Sequence, residues 1–342
     1  DDVINVGMVD TAAGNRWIDL GESRAWCWQQ GCMLQWVPGT TSTVLWNDRD
    51  GDRFVCRIKD VQTGEQRTIG APVYAISPDG RWAVTPDFAR INDMRPGYGY
   101  AGIADPRADS LAPEDTGIWR VDLTSGDSSL IVSYADAAEI PWPHGDLSDA
   151  KHYFNHLLIS PDGSRFEFLH RWYKPGNDKW QTRMFTCNPD GTDIKTVADS
   201  GHASHFIWRD PNHILVCCRD GGERNMCLIN IHSRKIEIID SSRLPSCDGH
   251  FSYLPDKNNE WLVTDGGGGR PPKDRKRRLG IYHLPTKRFV ELGAFHLPEE
   301  YTQDLRVDLH PRTSRDGTKI VIDSAHESGR QLYMIPLDPE IF

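Results

Sequence analysis

A turn of fixed chemistry recurs along this chain, and it constrains the fold more than any other feature. WVPGT (36–40), ISPDG (76–80), ISPDG (159–163), WRDPN (208–212), YLPDK (253–257) and TSRDG (313–317) are each followed by an alternating apolar run: TVLWN, RWAVT, RFEFL, HILVC, EWLVT and KIVID. Proline presets φ at the second turn position, aspartate caps the backbone, and glycine takes the positive φ that closes a hairpin. Further strand–turn–strand segments follow, such as VCRIKDVQTGEQRTI, NMCLINIHSRKIEII and LGIYHLPTKRFVEL. Strand, turn, strand, link, strand, turn, strand is the order of a four-stranded β-propeller blade, and self-similarity at this scale marks a repeat architecture. The expectation is one all-β propeller over residues 1–342 with six explicit units. The N-terminal INVGMVDTAAGNRWIDLG reads as an outer hairpin without an inner one. Lending those strands to an inner part from the C-terminal end would close an open sheet edge, so six or seven blades fit the repeat.

Composition agrees and excludes some partners. Thirty Gly, 22 Pro and 12 Trp suit many short strands joined by tight turns. No run of eighteen apolar residues occurs, so no membrane-spanning helix is expected. A formal charge of -10 repels nucleic acid and anionic lipid at long range. The dense basic run RPPKDRKRR (270–278), after four glycines, reads as a solvated loop, with a polyanion-contacting edge as the alternative. Cys56, Cys187, Cys217 and Cys227 sit inside apolar runs, where free thiols serve as small hydrophobes. No CxxC spacing exists, which argues against a cysteine zinc site. Reduced thiols favour a cytoplasmic home over a periplasmic one. Residues 1–5 lack the features of a signal peptide, although a processed mature end would look the same.

Candidate chemistry follows from position in the repeat. His156, His205, His250 and His310 each lie three to five residues before a turn motif, which would gather imidazoles at one axial end. Asp308 and His310 are two apart, and on an extended strand such residues point the same way, so both can meet one ion with His250. That mixed nitrogen and oxygen set suits Mn²⁺, Zn²⁺ or a similar divalent ion; the alternative is an aspartate orienting a histidine. The segment FLHRWYKPGNDKWQTRMF brings His170, Arg171, Trp172, Tyr173, Trp180 and Arg183. Rings cover apolar sugar faces and guanidinium groups grip carboxylates, so an acidic sugar is a natural ligand, with ordinary blade packing as the alternative. A long insertion at about 85–117 carries Tyr98 and Tyr100, read as a lid or a sugar-stacking surface, or as an inert insertion.

The succession NHLLISPDG, FLHRW, TRMF, SHFIWRDP, GHFSYLPD and HPRTSRDGTKIVIDS resembles the oligogalacturonate lyase family over roughly residues 150–337. The resemblance implies a seven-bladed propeller and a divalent ion held by histidines at the axial end. It implies that His250 and His310 are metal ligands, that Arg183 takes the C5 proton, and that His205 lies near the substrate. Asp308 stands where the family has another histidine ligand and Leu305 where it has a glutamine, departures that point towards a relative acting on another uronate, such as the propeller ulvan lyases.

The expected activity is therefore metal-assisted β-elimination at a 4-linked uronic acid in an acidic oligosaccharide or polysaccharide. Arg183, His205, His156 and His170 are the candidate catalytic groups, and Arg171, Trp172, Tyr173, Tyr98 and Tyr100 the candidate sugar contacts. A propeller glycoside hydrolase would want two carboxylates facing across the sugar. A binding or scaffold propeller would need no metal.

Overall fold

The computed structural model describes residues 2–177, 179–266 and 272–342, so the last three residues of the glycine run and the first two of the basic run, residues 267–271, lie outside the described residues. The chain forms two compact units, residues 1–195 and 196–342. In the first unit β1 (Ile4–Asp10) and β2 (Arg16–Ser23) make a two-stranded sheet. The first blade is β3 (Gln35–Trp36), β4 (Thr43–Asp50), β5 (Arg53–Asp60) and β6 (Gln66–Ile69). The second is β7 (Ala75–Ile76), β8 (Trp82–Pro86), β9 (Gly117–Asp122) and β10 (Ser128–Ser133), with α1 (Phe88–Met94) inside the insertion and α2 (Tyr134–Glu139) after the last strand. The third is β11 (Lys151–Ile159), β12 (Phe166–Tyr173), β13 (Gln181–Cys187) and β14 (Lys195–Ala198), the last of which starts at the unit's final residue and runs beyond it.

The second unit continues with β15 (Ala203–Asp210), β16 (His213–Asp220), β17 (Glu223–Asn230) and β18 (Ile236–Ile239). The next blade is β19 (Phe251–Tyr253), β20 (Trp261–Thr264), β21 (Lys276–His283) and β22 (Arg288–His296). The last sheet has three strands, β23 (Arg312–Thr313), β24 (Lys319–Ser324) and β25 (Gln331–Pro336). The fold is all-β and built of β-propeller blades, six among the described residues and not seven. The N-terminal hairpin is not a seventh blade, because among the described residues no further strand pairs with β1 or β2. Its Val6 and Leu20 pack with Val44 and Trp46 of the first blade, whose Trp46 and Lys59 side chains hydrogen-bond to the carbonyls of Glu22 and Leu20.

The recurring turn does two jobs. Ser77 donates to the Asp79 carboxylate at 2.6 Å and accepts from the Trp82 N–H at 3.1 Å, and Ser160 and Ser314 repeat both bonds in their own turns. Gly80 then turns the chain at φ 71, and a side chain there would strike the carbonyl of Pro38 at 2.4 Å. Gly163 likewise faces Pro78, and Gly317 faces Pro255. The proline of one turn thus seats the glycine of the next, so the motif closes a hairpin and also sets the spacing between neighbouring blades.

The insertion is held by one buried cation rather than hinged as a lid. Arg90 of α1 is fully buried; it pairs with Asp105 at 3.0 Å and donates to the carbonyls of Arg107, Ser110, Leu111 and His152. Tyr100 stacks on Phe88 with centroids 4.0 Å apart, meets Phe54 edge-on and takes a hydrogen bond from Asn47. This tyrosine is core. Its ring is unavailable for stacking on a sugar.

A candidate metal and acid–base centre

The second unit brings three of the four repeat-slot histidines into a row. His205 lies on β15, His250 immediately before β19 and His310 two residues before β23. Ring centroids are 4.1 Å apart for His205 and His250, and 4.2 Å for His250 and His310. Each Nδ1 meets a carboxylate: His205 meets Asp248 at 2.7 Å, His250 meets Asp265 at 2.7 Å, and His310 meets Asp323 at 3.5 Å. A carboxylate on Nδ1 favours the proton there and leaves Nε2 with its lone pair, for an ion or for a proton.

The donor set fits a divalent ion. Ligand atoms of His250, Asp308 and His310 lie within 4.8 Å of one another. Asp308 is fully buried and also receives Arg277 at 2.7 Å and Arg306 at 2.9 Å, so two guanidinium groups balance its charge when no cation does. Burial drives His250 down to about 4, aided by its imidazole neighbours and opposed by Asp265. His250 is therefore neutral at pH 7, as a ligand must be. Burial would raise Asp265 and Asp248, but the histidine partners of both, and Arg224 beside Asp248, hold these carboxyls below the usual range. At His310 the backbone is left-handed, with φ 42.

The first unit holds the other candidates, most of them sealed in packing. His156 sits in a bulge of β11 at φ 52; its Nδ1 is 3.4 Å from the Tyr74 hydroxyl and its ring meets Tyr98 edge-on. Tyr98 is buried under the Arg95 guanidinium. Arg183 is 1% exposed. It donates from Nε to His170 Nδ1 at 3.1 Å, and from its other nitrogens to the carbonyls of Ala137, Ile140 and Pro141 at the end of α2. That geometry makes Arg183 a clamp on a helix terminus. His170 in turn meets His152 Nδ1 at 2.8 Å, and burial depresses both imidazoles, His152 to about 4.

Trp172 is fully buried between Trp142 and the two histidines. Arg171 is buried on the opposite face of β12, across from Tyr153, and burial lowers its pKa. On that face Glu167 is also buried, which raises its carboxyl well above the usual range. Tyr173 is half-buried against Tyr153 and Trp180. Of the five expected sugar contacts the structure brings three together: Arg95 lies over the rings of Tyr98 at 3.8 Å and exposed Trp180 at 4.6 Å, Arg171 lies over Trp180 at 5.8 Å, and Tyr173 meets Trp180 edge-on. Trp172 and Tyr100 are fully buried and open to no sugar; Trp172 is sealed because β12 is an interior strand covered on both faces.

The carboxylates behind the histidines are the residues that motif reading missed. Asp265 directly follows β20 and Asp323 lies near the end of β24, the same place in two successive blades. In these antiparallel pairs Phe251 faces Thr264 and Arg312 faces Val321, which brings Asp265 and Asp323 opposite the slot histidines. An aspartate recurring at the end of the second strand was the available signal.

No protein-family profile matches the chain, and no curated protein matches it in sequence. Among solved structures, the fold resembles an oligogalacturonate lyase in complex with manganese, with TM-score 0.67 and 16% identity over 98% of this chain and 84% of that one. An oligogalacturonate lyase from Vibrio parahaemolyticus gives 0.57 and 13% over 99% of both chains. The β-propeller domain of the trilobed protease from Pyrococcus furiosus gives 0.53 and 14% over 92% of this chain and 83% of that one. At such identities the likeness is one of fold.

Proposed function

We propose that this protein is a lyase that cleaves a 4-linked uronic acid by β-elimination, with His205 as the base. The observation that carries the reading is the row of three carboxylate-backed imidazoles in the second unit. His205 is a quarter exposed, and Asp248 on its Nδ1 leaves Nε2 to accept the C5 proton. His250, Asp308 and His310 would hold a divalent ion, Mn²⁺ or Zn²⁺, which when bound acts as a Lewis acid on the uronate carboxylate and so acidifies C5. Arg306 and Arg330, paired with Asp308 and Asp323, add positive charge beside that carboxylate and orient it. Abstraction at C5 then expels the C4 oxygen, which leaves with a proton.

The fold likeness to oligogalacturonate lyases supports this reading. The likeness to a protease-associated propeller favours the rival, a non-catalytic binding propeller. The discriminating experiment follows ultraviolet absorbance of an unsaturated uronate from pectic, ulvan and glycosaminoglycan oligomers, with and without Mn²⁺ or Zn²⁺. Product from one class, with kcat reduced by about 10²–10⁴-fold in His205→Gln, is expected. No new double bond with any class under either condition leaves only the binding propeller.

A further inference from the structure

We propose that His202, Cys217, Cys247 and Asp248 form a structural zinc site in the second unit, separate from the His250, Asp308 and His310 group and independent of the lyase reading. His202 immediately precedes β15, Cys217 lies on the adjacent β16, and Cys247 and Asp248 come from the connection between β18 and β19. Ligand atoms of His202, Cys217 and Asp248 lie within 4.8 Å of one another, and the Cys217 and Cys247 sulfurs are 3.9 Å apart. A disulfide would need about 2.05 Å. Two thiolates on one tetrahedral zinc, at about 2.3 Å each, stand about 3.8 Å apart, so the sulfurs already have the separation that a shared ion imposes.

The chemistry of the set selects the metal. Two sulfurs, one imidazole and one carboxylate make a soft, four-donor group that suits Zn²⁺ and does not suit Mg²⁺, Ca²⁺ or Mn²⁺. Charge closes as well. Two thiolates and Asp248 carry three negative charges, while Zn²⁺ and Arg224, which pairs with Asp248, carry three positive ones. The absence of a CxxC motif argues against such a site from sequence, but spacing cannot register these two thiols, which come from segments 30 residues apart and meet only in the folded unit. Asp248 also holds Nδ1 of His205, so an ion at this cluster fixes the carboxylate that orients His205.

The test uses the full chain carrying His250→Ala and His310→Ala, which removes the other candidate ligands. After loading with Zn²⁺ alone and dialysis against a mild chelator, one zinc per chain is expected, with two sulfur scatterers at about 2.3 Å in X-ray absorption. Co²⁺ in its place should give intense thiolate-to-metal charge-transfer bands. Cys247→Ser, at a half-buried position, should abolish stoichiometric zinc and those bands; Cys217→Ser, at a buried one, should do the same if it folds. Zinc held only by nitrogen and oxygen, a protein that retains no zinc, or a Cys217–Cys247 disulfide found by mass spectrometry in protein purified under reducing conditions would each overturn the proposal.

Discussion

Replacing Arg183 by methionine should unfold the protein more readily rather than selectively stop chemistry. The guanidinium makes bonds of 2.6 Å to Ala137, 2.8 Å to Ile140 and 3.3 Å to Pro141 carbonyls, and of 3.1 Å to His170. Hydrogen bonds to a charged group are worth roughly 1.5–3 kcal/mol each, and they do not add when they share one donor group. Water can recover part of the loss at the end of α2 but not at buried His170. A cost of about 3–5 kcal/mol follows. At roughly 2–4 °C per kcal/mol for a unit of this size, the melting transition should fall by roughly 6–20 °C. Arg183→Lys keeps the charge but offers one nitrogen where three are used, so it should recover only a small part. Differential scanning calorimetry measures the shift, and kcat on a uronate oligomer well below the transition should stay within about threefold of the parent. An unchanged transition together with a kcat loss near 100-fold would refute the clamp and return Arg183 to the role that family resemblance implies.

Acid should destabilise the first unit. His152 is held at about 4 in the folded chain against an ordinary value near 6.5, so the unfolded chain binds more protons between those values; the stability this burial reflects is complete above about pH 6.5 and lost as pH falls towards 4. Thermal melts between pH 7.5 and 4.5 check this, and His152→Gln should flatten the slope. Arg90→Met should free the insertion by removing its bonds to Asp105 and four carbonyls, seen as rapid proteolysis between residues 95 and 116; an insertion as resistant as the parent's would contradict the anchor. His310→Ala should abolish stoichiometric Mn²⁺ binding at the His250 centre by isothermal titration, and unchanged affinity would place the ion elsewhere.

The blade repeat was legible because it is local: Ser77, Asp79 and Gly80 build their turn from residues within five positions of one another. The histidine row was legible by the same route, since equal places in a repeat become neighbours around it. What a residue faces was harder to read. In FEFLHRWY, Phe166, Phe168, His170 and Trp172 alternate with Glu167, Leu169, Arg171 and Tyr173, a pattern that looks half-exposed. Yet β12 is flanked by β11 and β13 and covered on both faces, so its arginine and histidine are interior groups. The surroundings of Arg183 were hidden in the same way: besides His170, its partners are backbone carbonyls more than 40 residues away, and these leave no trace in residue types. The blade count failed at the N-terminal hairpin, which among the described residues pairs only with itself, while the Trp46 and Lys59 side chains bond to its Glu22 and Leu20 carbonyls.

The left-handed backbone at His310, φ 42, and at His156, φ 52, sets two demands against each other. Glycine or asparagine would rest there more easily than a histidine, which gives up roughly 1–2 kcal/mol to adopt that conformation. A laboratory population selected only for heat tolerance would drift towards those smaller residues at both places and emerge sturdier. Histidine persisting at both through such a selection would mean that the imidazoles repay their own strain inside the folded chain, whether or not anything ever binds.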